Sequence, residues 1–407
     1  MKRRTLTAID VGTTKIATII ASTDDAGHTR VIGVGITPSN GMQKGMVVNI
    51  KEAAEAIRTS VKRAELASGH KVESAYVGVT GRHVTSVNNR GAIAITRNDR
   101  LVRPEDLKRV MKCAQNIEVP AERRLLHVIP RGYAVDGQTG VENPVGMHGQ
   151  RLDVETHIIT GAVTSVQNLV KCVRGIGIDV EDLVLEPIAS AEAVLTEEEK
   201  QRGVILADIG GGTTDIAVFR DGSIWHTSVL PVAGNQLTRD VAIGLGLPFD
   251  IAEEMKKRYG SVMPVYDSKR QAPEEISQDG HGVSYQDLCD IIRARVEEMI
   301  RLIMLELPRA EYQKLVPSGL VFTGGSSNLS GLEMMARDMI GLPVRVGAPT
   351  NFPGITESLR DPAYATAVGI LLWAIRQDIK PVWQRRKLFN FNVIRMVFRL
   401  ANLFNRK

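Results

Sequence analysis

The run I-D-V-G-T-T-K-I-A at residues 9–17 returns 198 positions later as A-D-I-G-G-G-T-T-D-I-A at residues 207–217. Each copy opens on a β-rich stretch, turns on glycine and threonine, and enters a second apolar run, residues 16–21 or 216–219. Both read as β-hairpins with small-residue tips. The separation is far beyond the 20–50 residues of a solenoid repeat, so it points to two related halves. At about 150 residues per domain, 407 residues hold two or more.

The surrounding pattern is that of an α/β protein. After the first hairpin, residues 31–36 read as a strand. Residues 51–68 read as a helix with Ala53, Ala54, Ile57, Val61 and Ala64 on one face. Residues 72–79 and 180–185 read as strands, and 168–176 and 187–195 as helices, the latter opening on Pro187. In the second half, helices are expected at 238–245, 249–259, 285–306 and 330–340, with a strand at 320–323. The long helix carries Leu288, Ile291, Ile292, Val296, Met299, Ile300 and Ile303 at helical spacing. Between Thr80 and Asn168 lies a block with its own strands (91–95, 127–133, 156–164) and helix (105–114), read as a small inserted α+β domain. Residues 261–282, rich in Pro, Ser, Gly, Asp and Gln, read as an exposed, mobile loop.

Charge and cysteine usage narrow the function. Residues 379–407 hold eight basic side chains and no acid, which leaves the first 378 residues at −3 against a net +5. A mildly acidic body does not suit a nucleic-acid binder. Cys113, Cys172 and Cys289 form no C-x-x-C pair, which argues against a disulfide scaffold or structural zinc and for a reducing cytosol. No apolar run approaches the ~20 residues of a membrane span, and Asp10 interrupts any signal-peptide core after the basic start.

A glycine–threonine tip offers backbone N–H groups in a concave nest that suits phosphate. Asp10 and Asp208, each just before a tip, can hold the water shell of Mg²⁺. Two opposed tips would clamp a triphosphate; either alone could be an ordinary glycine turn with a capping aspartate. A third glycine run, V-F-T-G-G-S-S-N-L at residues 321–329, lets a base or ribose approach Gly324 and Gly325, although by itself it reads as a plain strand–helix turn.

These three sites in this order resemble the phosphate-1, phosphate-2 and adenosine motifs of the actin and heat-shock chaperone ATPase superfamily. Closer still is a resemblance to the bacterial FtsA cell-division family, carried by I-G-V-G at 32–35, S-N-G-M-Q-K-G at 39–45, H-V-I-P at 127–130, N-P-V-G at 143–146 and the basic tail. The resemblance implies an actin-like ATPase fold of two related α/β domains around a nucleotide cleft. It implies a first domain at 1–80 and 162–202 with the chain returning near 362–378, and an inserted SHS2-like α+β domain at 81–161. The second domain would span 203–240 and 307–361, with an outer subdomain at 241–306. It implies ATP and Mg²⁺ as ligands. Asp10, Gly12, Thr13, Thr14 and Lys15 would form the first phosphate loop, with Lys15 as countercharge. Asp208, Gly210, Gly211, Gly212, Thr213 and Thr214 would form the second. Asp208 and Asp10 would hold the metal through water, and Gly324, Gly325 and Ser326 would lie at the adenosine. Glu186 matches a carboxylate that orients the attacking water, and Glu253, Lys256 and Lys257 match an E-x-x-K-[RK] helix at ribose and adenine; that helix face could equally be a solvated one. The family resembles a slow or weak ATPase, not a metabolic enzyme.

Residues 387–407 read as an amphipathic helix when placed on a 100° wheel. Phe389, Val393, Val397, Phe398, Leu400 and Phe404 belong to a wide apolar arc, with Arg395 and Arg399 in a narrow cationic stripe. Such a helix lies in an anionic membrane interface, where terminal docking or a calmodulin-type target is the alternative. A linker at 379–386 would keep the body close to the bilayer. The resemblance agrees. It implies self-association, tethering of the tubulin-like filament protein FtsZ to the cytoplasmic face of the inner membrane at the septum, and recruitment of later division proteins. The acidic FtsZ tail would dock on the 285–306 helix, where Arg293, Arg295 and Arg301 lie outside the apolar stripe. Sugar or acetate kinases and the type IV pilus adaptor PilM are rivals of the same fold, but neither has use for a lipid-binding tail.

Overall fold

The computed structural model describes residues 4–24, 28–263, 275–307, 315–350 and 355–379. The expected linker beyond Ile379 and the amphipathic helix at 387–407, with its membrane residues, lie outside them.

The sequence repeat is a repeat of topology. The first five-stranded sheet runs in the order Asp179–Leu185, Ser74–Val79, Arg4–Val11, Lys15–Thr23, Thr29–Pro38. The second runs Val344–Val346, Leu320–Thr323, Val204–Ile209, Thr214–Arg220, Ser223–Leu230. In each, three strands form an antiparallel meander and two more extend it in parallel. The central strand of the second sheet is buried and apolar throughout except at its penultimate residue, Asp208; in that of the first, residues 6–11 are buried and carry Asp10 at the same position together with Thr7.

Helices cover the first sheet on both sides. Ile50–Ser68 is capped by the Asn49 side chain and buries Ala53, Ile57, Val61 and Ala64 as its periodicity predicts, while Ala54 is only half-buried. It can lie close because the strand beneath carries glycine: a Cβ on Gly35 would stand 2.0 Å from the Ser60 carbonyl oxygen. On the other face, Ala365–Ile379 crosses Glu186–Val194 so closely that a Cβ on Gly369 would meet the Ala189 carbonyl oxygen at 1.8 Å. The residues between the halves' strands build a separate antiparallel sheet in the order Thr85–Ala94, Arg151–Ala162, Arg123–Val135, Gln138–Val141. One of its faces packs Val110 and Ala114 of helix Pro104–Ala114 against Ile95, Val135, Leu152 and Val154.

Several elements differ from expectation. The strand expected to reach residue 164 stops at Ala162, and the next helix starts at once as Val163–Arg174, not at 168. Part of the expected loop at 261–282 is a hairpin: Glu275–Gln278 pairs with His281–Ser284 around Asp279 and Gly280, both at positive φ (48° and 84°). This is an Asp-Gly turn whose twist matches the strands. The strands Ser223–Leu230 and Val344–Val346 and the helix Ala365–Ile379 had no counterpart among the predicted elements. Among the described residues no helix is long and apolar enough to cross a membrane.

Candidate functional site

The two hairpin tips face each other across a cavity of about 550 Å³. Asp10, Gly12, Thr13, Thr14 and Lys15 line it from the first half, and Asp208, Gly210, Gly211, Gly212 and Thr213 from the second. Glu186, Glu253, Lys256, Lys257, Gly324, Gly325 and Ser326 complete the wall, so residues more than 300 positions apart meet here. Thr214 is the exception. Its hydroxyl donates to the Val232 carbonyl at 2.7 Å, which ties it into its own half and away from the cavity. Glycine is required where the tips approach. A Cβ on Gly211 would lie 2.2 Å from Thr14 Cγ2, and one on Gly212 would lie 2.4 Å from Thr13 Oγ1. The second tip is fastened from behind, since Gly234 N–H donates to the Gly210 carbonyl and Asn235 N–H to that of Gly211.

Four buried carboxyl groups share this space. Burial lifts Asp10 to about 6, with Lys15 opposing the shift and Asp208 adding to it. Burial also lifts Asp215 to about 7. There, repulsion from Asp208 and Asp10 adds to the shift, while hydrogen bonds from the Thr80 and Thr213 hydroxyls oppose it. Glu186 is pushed well up by burial and by Asp10, Asp215 and Asp208. Asp208 is raised by burial although it accepts from Ser190 at 2.5 Å and Thr366 at 2.8 Å. So many acids around one lysine suit a divalent cation. Among the described residues no three His, Cys, Asp or Glu side chains converge to ligate a metal directly. The acids fit Mg²⁺ held through its waters, which it sheds reluctantly.

The cations are already engaged. Lys15 Nζ donates to the Ala363 carbonyl and stands 4.8 Å from the centre of the Tyr364 ring. Lys256 pairs with Glu253 at 2.6 Å and donates to Thr238 and Gly234, and Lys257 reaches Glu253 at 3.2 Å. The E-x-x-K-K face is therefore a bonded cluster lining the cavity, not a solvated helix face.

Residues outside the sequence-based set also line the site, notably Asp215, Thr80, Asn235, Asp361 and Tyr364. For Asp215 a signal existed: it stands where the first copy of the repeat carries Lys15. The arginines of the long helix Tyr285–Leu305 depart from expectation. Arg295 is 26% exposed and grips Asp240 through Nε and Nη2 while Nη1 donates to Glu298. Arg293 is half-buried, with Nε donating to the Val262 carbonyl at 3.0 Å. Only Arg301, 69% exposed beside Glu297, projects as expected. Packing of this helix against Gly234–Leu245 draws Arg295 toward that helix's acid.

A family model described as "Cell division protein FtsA" matches residues 205–369, and one described as "SHS2 domain inserted in FTSA" matches residues 81–160. The cell division protein FtsA of Pseudomonas aeruginosa is 40% identical over 383 residues, covering 92% of this chain and 90% of its own. That of Escherichia coli is 35% identical over 380 residues, covering 91% and 90%. Among solved structures, the PilM-PilN type IV pilus biogenesis complex aligns with a TM-score of 0.65 at 18% identity, covering 92% of this chain and 99% of that one. MreB5 of Spiroplasma citri bound to ADP aligns at 0.55 and 14%, covering 92% and 98%. The MamK double helical filament aligns at 0.53 and 16%, covering 93% and 100%. With its duplicated sheets and interleaved insert, the chain belongs to the FtsA family of cell division proteins and has the actin-like ATPase fold.

Proposed function

We propose that this chain binds Mg-ATP between its two hairpin tips, self-associates, and tethers FtsZ filaments to the cytoplasmic membrane at the septum, where it recruits later division proteins. One observation carries the nucleotide reading: two related tips meet over one cavity with a buried aspartate behind each. The ADP held by MreB5 and the filament formed by MamK support nucleotide binding and self-association in a chain of this fold. We read 81–161 as the inserted domain, 241–306 as the outer subdomain and 387–407 as the membrane helix. An acidic FtsZ tail reaching the Tyr285–Leu305 helix would find Arg301 exposed though paired with Glu297, and would have to compete with Asp240 for Arg295. The family relationship, at 35–40% identity, favours this reading over the pilus adaptor and the kinases.

Flotation with anionic liposomes tests it. Full-length protein should float and carry FtsZ filaments with it, and a chain ending before Lys387 should do neither. Salt should weaken flotation only in part, because headgroup attraction is screened and apolar burial is not. Flotation of the truncated chain at the full-length level would move the membrane contact elsewhere.

We read Glu186, which lines the cavity and whose pKa is raised by burial and the neighbouring acids, as the carboxyl that takes a proton from an attacking water. Glu186→Gln should leave ATP affinity within about two-fold while lowering turnover by about 10²-fold or more. Unchanged turnover would make Glu186 structural.

A further inference from the structure

The inserted sheet has two unlike faces. Along Arg151–Ala162, Leu152, Val154 and Ile158 alternate with Asp153, Glu155 and His157. The apolar side is covered by helix Pro104–Ala114. The polar side is divided: its His157 end lies buried on Ser223–Leu230, the edge strand of the second half's sheet, while Glu155 stays partly exposed beside Arg90.

The fit follows the strand period. Ser86 and Asn88, two apart on the insert, donate to the main-chain carbonyls of Thr227 and Trp225, two apart on the edge strand, at 3.0 and 3.1 Å. Side chains thus satisfy an edge that would otherwise lack a neighbour. His157, 1% exposed, is held at both ring nitrogens, by Asn88 at 2.6 Å and by Thr227 Oγ1 at 3.0 Å. Burial pushes its pKa down to about 3, so it stays a neutral partner. The Ser223 hydroxyl donates to the Arg131 carbonyl at 2.7 Å, and the Arg131 guanidinium stands 4.2 Å from the centre of the Trp225 ring.

Both ends of this contact lead to the cavity. The insert leaves the first half just after Thr80, whose hydroxyl donates to Asp215. The edge strand runs on to Gly234 and Asn235, which fasten the second tip. The insert is covalently part of the first half and grips the second, so the halves cannot part at the cavity without breaking this contact. We propose that the insert is a clasp, whose polar sheet face holds the strand Ser223–Leu230 and restrains opening of the cleft. Resting on the nucleotide reading above, the clasp also slows the escape of a bound nucleotide.

Two variants of the full-length protein test this: Trp225→Ala, and the milder pair Ser86→Ala with Asn88→Ala, which removes the two hydrogen bonds to the edge strand and the Asn88 bond to His157 but no core side chain. Spin labels at Lys62→Cys and Asp338→Cys, exposed sites on the two halves, report cleft opening in a Cys113→Ser background. Without nucleotide, the label distances should lengthen and broaden in both variants. A fluorescent ADP analogue should dissociate about five-fold faster or more, the effect of losing the two hydrogen bonds that cross to the edge strand. Unchanged distances in the folded pair variant overturn the clasp. Altered distances with unaltered dissociation keep the restraint and overturn its effect on escape. If the wild type binds no analogue at all, the nucleotide reading fails, and the label distances still decide the clasp.

Discussion

Asp208→Ala will bind Mg-ATP about 10- to 150-fold more weakly than the wild type, the loss expected for hydrogen bonds to a charged group worth about 1.5–3 kcal/mol. Asp208 is 6% exposed, stands behind the second tip, and is oriented by the Ser190 and Thr366 hydroxyls on one oxygen, Oδ2. Its other oxygen faces Gly324, where a Cβ would come within 2.3 Å. A carboxylate fixed in this way can order the waters of a bound Mg²⁺ without reorganising. The same substitution removes a like charge from Asp10, Glu186 and Asp215, so the nucleotide-free variant should melt no lower than the wild type apart from the loss of two buried hydroxyl contacts. Asp208→Asn, which keeps the shape and one acceptor, should lose Mg-dependent affinity to a similar degree. Calorimetric titration with and without Mg²⁺ distinguishes the outcomes. Equal Mg-ATP affinity in a folded Asp208→Ala variant would remove this residue from the metal site.

What could be read in the sequence was what repeats or alternates. The two tips, the aspartates behind them and the long helix rest on local pattern, and local pattern survives folding. The parts that escaped are set by distant neighbours. Asp215 belongs to the site because Thr80, 135 positions away, donates to it. Arg295 is pinned because Asp240 lies across a helix–helix contact 55 positions away. Ser223–Leu230 shows no apolar alternation because one of its neighbours is a polar sheet face. Ala365–Ile379 shows no clean amphipathic period because it is buried between a sheet and another helix, and such a helix is apolar on most sides. The Asp279-Gly280 turn was the opposite case. Its signal was local and strong, but Pro- and Ser-rich surroundings masked the short strands beside it.

The acid cluster should also make stability depend on pH in an unusual direction. An acid whose folded pKa is raised supports the fold below its unfolded value, and that support is lost as pH climbs through the folded value. Asp10 rises from 3.8 to about 6 and Asp215 from 3.8 to about 7, so the loss accumulates between about pH 4 and pH 7. Asp215→Asn removes one of these titrations. Its amide keeps one acceptor oxygen for the Thr80 and Thr213 hydroxyls, and the cost of the lost second bond is the same at every pH. The variant should therefore be no more stable than the wild type at pH 4.5, should gain on it up to about pH 7, and should hold that gain to pH 8. The relative gain is on the order of 2–4 kcal/mol, at about 1.4 kcal/mol per pKa unit. Mg²⁺ with nucleotide supplies the missing countercharge, so it should narrow the difference at pH 8 and leave that at pH 4.5 unchanged. Denaturant melts of both proteins at the two pH values, with and without Mg-nucleotide, measure all four corners. A stability difference that stays constant from pH 4.5 to pH 8 would mean that Asp215 is ionised throughout, and that the four carboxyls are not crowded enough to need a cation.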